Sequence, residues 1–327
     1  MPYTEELKRV IFGYAEDMRR YLSGDKADYV YSAAHSGENG TFDKNYANRM
    51  RLCWALYYNV CEVNDKRALV RELFLEELKD RESNSFQGIG DNLETLTSML
   101  MEFGEPPESE LFERAKNANF DCACGYEPRI FKHKPLEDFS PYECINTLSE
   151  LGETKLVLKL TDEFKSGELD LEGLRELRSI AEWCTKRPED KEFAVTKIYV
   201  VFQNSHELFD RSEAFKAVYD YTETLLDNGD TKNALAVYNG HKETLMWFKR
   251  KFYVLGARLI ASGADSPEKI WADILPHIQT DMKNGMVAPI NCDIMLSAAK
   301  RAGDTKMLKK LRKHFDKKEA EMRKIFD

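Results

Sequence analysis

Cys122 and Cys124, separated by one residue and followed by His133 and Cys144, form the densest group of metal-binding residue types in this 327-residue chain. Thiolate sulfur and imidazole nitrogen are ligands that zinc prefers. Structural zinc sites usually place two to four residues between their first pair of cysteines, and here only Ala123 intervenes. A disulfide across so short a gap is geometrically tight. One reading is therefore a metal-binding or catalytic protein built on Cys122, Cys124 and His133. The preferred one is an irregular insertion, residues 119–140, packed through Phe120, Tyr126, Ile130 and Phe131 and needing no cofactor.

Aromatic residues interleaved with basic ones are a second chemical signal. Trp247-Phe248-Lys249-Arg250-Lys251-Phe252-Tyr253 has the composition of a surface that stacks nucleobases. On a continuous helix, however, Phe248, Phe252, Leu255 and Leu259 would share one stripe and enter a core. Trp54, Tyr57, Tyr58 and Cys61 form a comparable face, with core the expected role and a peptide groove the alternative. Candidate partner contacts are Trp54, Tyr58, Trp247 and Arg250, joined by Lys309 and Lys313 near the C-terminus. The six histidines stand in no His-Glu-x-x-His arrangement, and phosphate-loop and Gly-x-Ser-x-Gly motifs are absent. The expectation is a protein that is not an enzyme.

The elements that must carry these residues are helices. Gly152-Glu153-Thr154-Lys155, Gly229-Asp230-Thr231-Lys232 and Gly303-Asp304-Thr305-Lys306 each separate two stretches of helical periodicity. Glycine ends one helix in a left-handed turn, and the acidic residue or threonine opens the next. A first helix has its apolar stripe at Leu7, Val10, Ile11, Tyr14, Met18 and Tyr21. Residues 32–45 read as a polar connection, Gly104-Glu105-Pro106-Pro107 as a helix stop, and Pro276 as a kink or an end. Turns near 64, 104, 152, 187, 229, 264 and 303 give about seven helix pairs of about 40 residues each. The expected fold is all-α: a right-handed α-solenoid of about seven antiparallel helix pairs. Repeats 1–118 and 141–327 would form one continuous array around the insertion, with a softer boundary at 119–140.

Leu225-Leu226, Gly229-Asp230 and Ala234 resemble the inter-helix turn of a tetratricopeptide repeat, and Leu259–Asp265 is similar to the end of an ankyrin repeat. The Trp-Leu-Gly-Tyr and Thr-Pro-Leu-His signatures of those repeats are absent. The resemblance implies an architecture that holds peptides or proteins on a concave face.

Charge narrows the partner. The net charge is −9, yet residues 300–327 carry 11 Lys/Arg against 5 Asp/Glu. An acidic body disfavours nucleic acid and favours a basic protein or peptide partner. The basic end reads as the outer face of a capping helix, in which Met307, Leu308, Leu311 and Phe315 form the buried stripe. No apolar run is long enough for a membrane span, the first residues lack a signal-peptide core, and seven cysteines suit a reducing compartment. A cytoplasmic location is expected.

Overall fold

The computed structural model describes residues 2–37, 40–85, 88–104, 108–132 and 134–326, with side chains as far as residue 321. It is 74% helix and all-α in class, and among the described residues no helix is long and apolar enough to cross a membrane. The chain divides into two compact units, Met1–Gly167 with Trp183–Lys186, and Glu168–Glu182 with Arg187–Asp327. Segment 119–140, where a soft boundary was expected, lies inside the first unit.

The first unit contains α1 (Pro2–Gly13), α2 (Ala15–Leu22), a hairpin of β1 (Ala33–Ser36) and β2 (Gly40–Asp43), α3 (Tyr46–Tyr57), α4 (Lys66–Ser83), α5 (Asp91–Glu102), α6 (Ser109–Lys116), α7 (Phe120–Gly125), α8 (Pro141–Glu150) and α9 (Thr154–Ser166). The expected first stripe is real: Leu7, Ile11, Tyr14, Met18 and Tyr21 are buried, although the helix breaks at Tyr14. Helix α1 packs on α3 and on α8, far along the chain, while α4 packs on α5. The proline-containing stop at Gly104 is consistent with α5 ending at Glu102 and α6 opening at Ser109, but residues 105–107 lie outside the described residues.

The polar connection read over 32–45 contains a hairpin that the sequence reading did not place. Ala33 pairs with Asp43 and Ser36 with Gly40. Its short, largely polar strands carry too little alternation to signal pairing. Long-range bonds hold it instead: Ser85 N–H donates to Thr41 O at 2.9 Å, and Asp43 accepts from Ser32 N–H and Asn45 N–H at 2.9 and 3.0 Å. Behind it lies a buried ionic network. Arg49 on α3, its side chain fully buried, contacts Asp43 Oδ2 at 2.7 Å, Tyr29 O at 3.2 Å, and the buried Glu77 of α4. Asn92 Nδ2 of α5 donates to Glu77 at 2.9 Å.

The second unit contains α10 (Leu171–Ser179), α11 (Pro188–Asn204), α12 (Arg211–Asp227), α13 (Thr231–Gly240), α14 (Lys242–Met246), α15 (Lys249–Ala261), α16 (Pro267–Lys283), α17 (Cys292–Arg301) and α18 (Thr305–Phe326). Contacts run mainly between helices close in sequence: α10 on α11, α11 on α12, α12 on α13, α15 on α16 and α17, and α17 on α18. One core runs through it from Leu174 to Phe315.

All three tetrapeptide turns share one geometry. Gly152, Gly229 and Gly303 have φ of +79°, +76° and +75°. The amide of the next residue reaches back five positions, Glu153 to Leu148 O, Asp230 to Leu225 O and Asp304 to Ala299 O, at 2.9, 2.8 and 3.0 Å. That is the bonding of a left-handed glycine cap, in which orphan carbonyls find donors. Asp230 and Asp304 then accept the amides of Asn233 and Met307 and open the next helix, whereas Glu153 makes no such cap.

Pro276, expected to kink or end its helix, does not end it; α16 continues to Lys283. Ile270, Trp271, Ile274 and Ile278 form one buried stripe across the proline. Burying such side chains contributes about 1.5–3 kcal/mol each, which offsets the ~3 kcal/mol a mid-helix proline costs.

Candidate interaction surface

The metal-type residues are dispersed. Cys122 is buried on α7, with its thiol 3.7 Å from Gly88 O, and Cys124 is exposed. Cys144 is buried on α8, where burial pushes its thiol up to about 11, and burial raises Cys122 as well. Both shifts oppose formation of the thiolate that zinc binds. His133 lies outside the described residues. No group of three or more His, Cys, Asp or Glu that could hold a metal occurs among the described residues.

Segment 119–140 is more ordered than an irregular insertion. Asn119 caps α7 by accepting from Cys122 N–H at 2.9 Å, and short 3-10 turns cover Pro128–Ile130 and Leu136–Asp138. Of its four expected anchors, Tyr126 is buried with its hydroxyl 2.8 Å from Thr97 Oγ1, and Phe131 packs on Tyr126. Phe120 and Ile130 are exposed instead. The aromatic face of α3 receives this segment. Trp54 is buried and meets Phe139 edge-on, and the hydroxyls of Tyr57 and Tyr58 donate to Lys132 O and Lys134 O. Trp54 and Tyr58, named above as partner contacts, are therefore engaged within the unit.

The Trp247 region is different. Residues 247–248 break the chain between α14 and α15, so the helical register used to place Phe248 in the core does not extend back to it. Phe252, Leu255 and Leu259 are buried as expected. Phe248, with backbone angles outside the helix, is 42% exposed, beside Trp247 at 43% and Met246 at 40%. Three consecutive large apolar residues at the surface are uncommon in a soluble domain and characteristic of binding sites.

Helix α12 supplies the other half of this surface. Arg211, Phe215 and Tyr219 follow one another at intervals of four and so share a face. The Arg211 guanidinium lies 4.9 Å over the Trp247 ring, Phe215 meets Phe248 with centroids 4.3 Å apart, and Lys251 Nζ sits 4.8 Å over Tyr219. The same face continues to Glu223 and Asp227, both paired with Arg258 of α15. Arg250 is exposed, with Nε 3.7 Å from Asp281. Lys309 and Lys313 are exposed on α18, on the side opposite the buried Met307, Leu311 and Phe315. The ladder was invisible in sequence because Arg211 and Trp247 are 36 residues apart.

This arrangement can hold a chain segment by stacking and cation–π contact. Rings already braced, Phe248 by Phe215 and Trp247 by Arg211, lose little side-chain freedom when something binds. Arg211, Lys249, Arg250 and Lys251 make the patch locally basic despite the net charge of −9. The chain matches no protein-family model, no curated protein and no solved structure.

Proposed function

We propose that this protein is a non-catalytic helical-repeat scaffold that binds a protein or peptide partner, with the Met246–Lys251 strip as the contact surface. The observation that carries this is the run Met246-Trp247-Phe248, exposed together and braced from behind by α12. The solenoid reading is best supported for the second unit, whose helices pack chiefly on sequence neighbours. In the first unit the pairing of α1 with α8 is not nearest-neighbour stacking.

Net charge favours a basic partner at long range, but the strip itself is basic and would select an acidic segment with an apolar anchor. Capture from native extract at low and moderate salt, with wild type and Trp247→Ala/Arg211→Ala side by side, tests the reading. A partner retained by wild type and lost, about tenfold or more, by the variant supports it. Equal retention by both would remove the strip from the proposal.

A second reading is single-stranded RNA, favoured by the exposure of Trp247 and Phe248 among four cations. Saturable quenching of tryptophan fluorescence by oligouridylate, lost in Trp247→Ala and weakened by salt, would favour RNA over peptide.

A further inference from the structure

The second unit also contains a cleft of about 190 Å³ that the strip does not use. Its polar lining includes Arg175 and Arg178 of α10 and Lys216 of α12, and its apolar lining Val195 and Ile198 of α11 and Phe209. Glu213 and Asp220 complete the charged lining, in a chain of net charge −9.

Glu172 and Glu182, outside the lining, also pair with the two arginines, yet some donor capacity is left over. Arg175 Nη2 lies 2.7 Å from Glu213 Oε1 and its Nη1 3.3 Å from Glu172 Oε2, while Arg178 Nη2 lies 2.8 Å from Asp220 Oδ2 and 3.8 Å from Glu182 Oε2. Arg178 Nε is buried without a hydrogen-bond acceptor, and Arg175 Nη2, though close to Glu213, is not directed at it as a donor. Lys216 makes no ion pair among the described residues. A planar guanidinium offers five N–H groups suited to a carboxylate's two oxygens, and a buried donor left unmade is costly. Burial pushes the Asp220 carboxyl up while Arg178 and Lys216 pull it back, so the fields of both cations converge here.

Size and lining together define the ligand. An apolar cavity of about 150 Å³ holds a benzene ring, so this cleft suits one aryl or branched-chain group. We propose that it binds a carboxylate attached to a small apolar body, the chemistry shared by a free aryl or branched-chain acid and by the C-terminal residue of a peptide. The apolar body would lie against Val195, Ile198 and Phe209, and the carboxylate against Arg178, Arg175 and Lys216. The inference is independent of the Trp247 strip.

Isothermal titration of the full chain with phenylacetate, phenylacetamide, acetyl-Gly-Phe and acetyl-Gly-Phe amide tests it. Each acid should bind about tenfold or more tightly than its amide, because the amide carries no charge for the guanidinium fork. Lys216→Gln and Arg178→Lys, the latter keeping a charge beside Asp220, should each weaken the acids by about fivefold or more. A peptide acid about tenfold tighter than phenylacetate identifies a peptide terminus as the source; equal affinity identifies the free acid. If Arg178→Lys fails to fold, the exposed Lys216→Gln carries the test. Acids and amides binding alike, no saturable binding of either acid, or unchanged affinity in Lys216→Gln would overturn the proposal.

Discussion

Gly256 and Gly240 both occupy helices, yet their surroundings give opposite predictions for the same substitution. A Cβ at Gly256 would fall 2.7 Å from Ile274 Cγ2 and 2.9 Å from Tyr238 Oη, whereas at Gly240 it would meet nothing within 4 Å. Helix propensity favours alanine by about 1 kcal/mol at both. Overpacking of about 1–3 kcal/mol outweighs that gain at Gly256. In urea denaturation Gly256→Ala should therefore be destabilised and Gly240→Ala neutral or mildly stabilised. Gly229→Val and Gly303→Val should each cost about 1–2 kcal/mol through backbone strain alone, since space is open at both. His241 gives a pH prediction. Burial, helped by His206, lowers its pKa below the ordinary value of 6.5, and its ring meets the Tyr199 hydroxyl at 3.0 Å. Protonation thus favours the unfolded chain: the contribution is fully present above about pH 6.5 and is lost as pH falls below it. His241→Gln should flatten the acid side of a stability–pH profile between about pH 7 and 5, and an unchanged slope would assign that loss to other groups.

At the scale of elements, α18 and the Arg49 network show two ways of fixing a helix. Met307, Leu311 and Phe315 anchor α18 to the second unit's core while Lys309 and Lys313 are exposed. Leu311→Ala, at a fully buried site, should cost about 2–4 kcal/mol by chemical denaturation. Charge reversal at Lys309 and Lys313 should change stability by less than about 0.5 kcal/mol, and loss of partner binding in that variant would make the basic end a docking patch. Arg49 instead ties the hairpin to α3 and α4 through two buried carboxylates. Removing one member of such a group strands charge in the interior, so Arg49→Met should cost about 3–5 kcal/mol, the largest effect foreseen for a single substitution in the first unit.

For the whole molecule, far-UV circular dichroism should report about three quarters helix, more than twice the usual share of about a third. A strand content near a quarter would contradict the all-α assignment. Neither the hairpin nor the short 3-10 turns is long enough to disturb that signal.

The features legible in the sequence were those whose causes are local. A glycine followed by an acidic residue makes its cap within a few positions, so Gly152, Gly229 and Gly303 announced their turns. The stripe at Met307, Leu311 and Phe315 needed only the helical period. Tertiary structure decided whatever depends on distant partners. It buried Trp54 beneath Phe139, paired two weak strands through Ser85 and Asp43, carried α16 through Pro276, and enclosed Arg49 between two carboxylates. It exposed Phe248 by breaking the helix before it, and brought Arg211 over Trp247 and Arg178 beside Asp220 from separate helices. Periodicity identifies which side of a continuous helix is apolar; where a helix starts, and what covers that side, is settled by packing between elements.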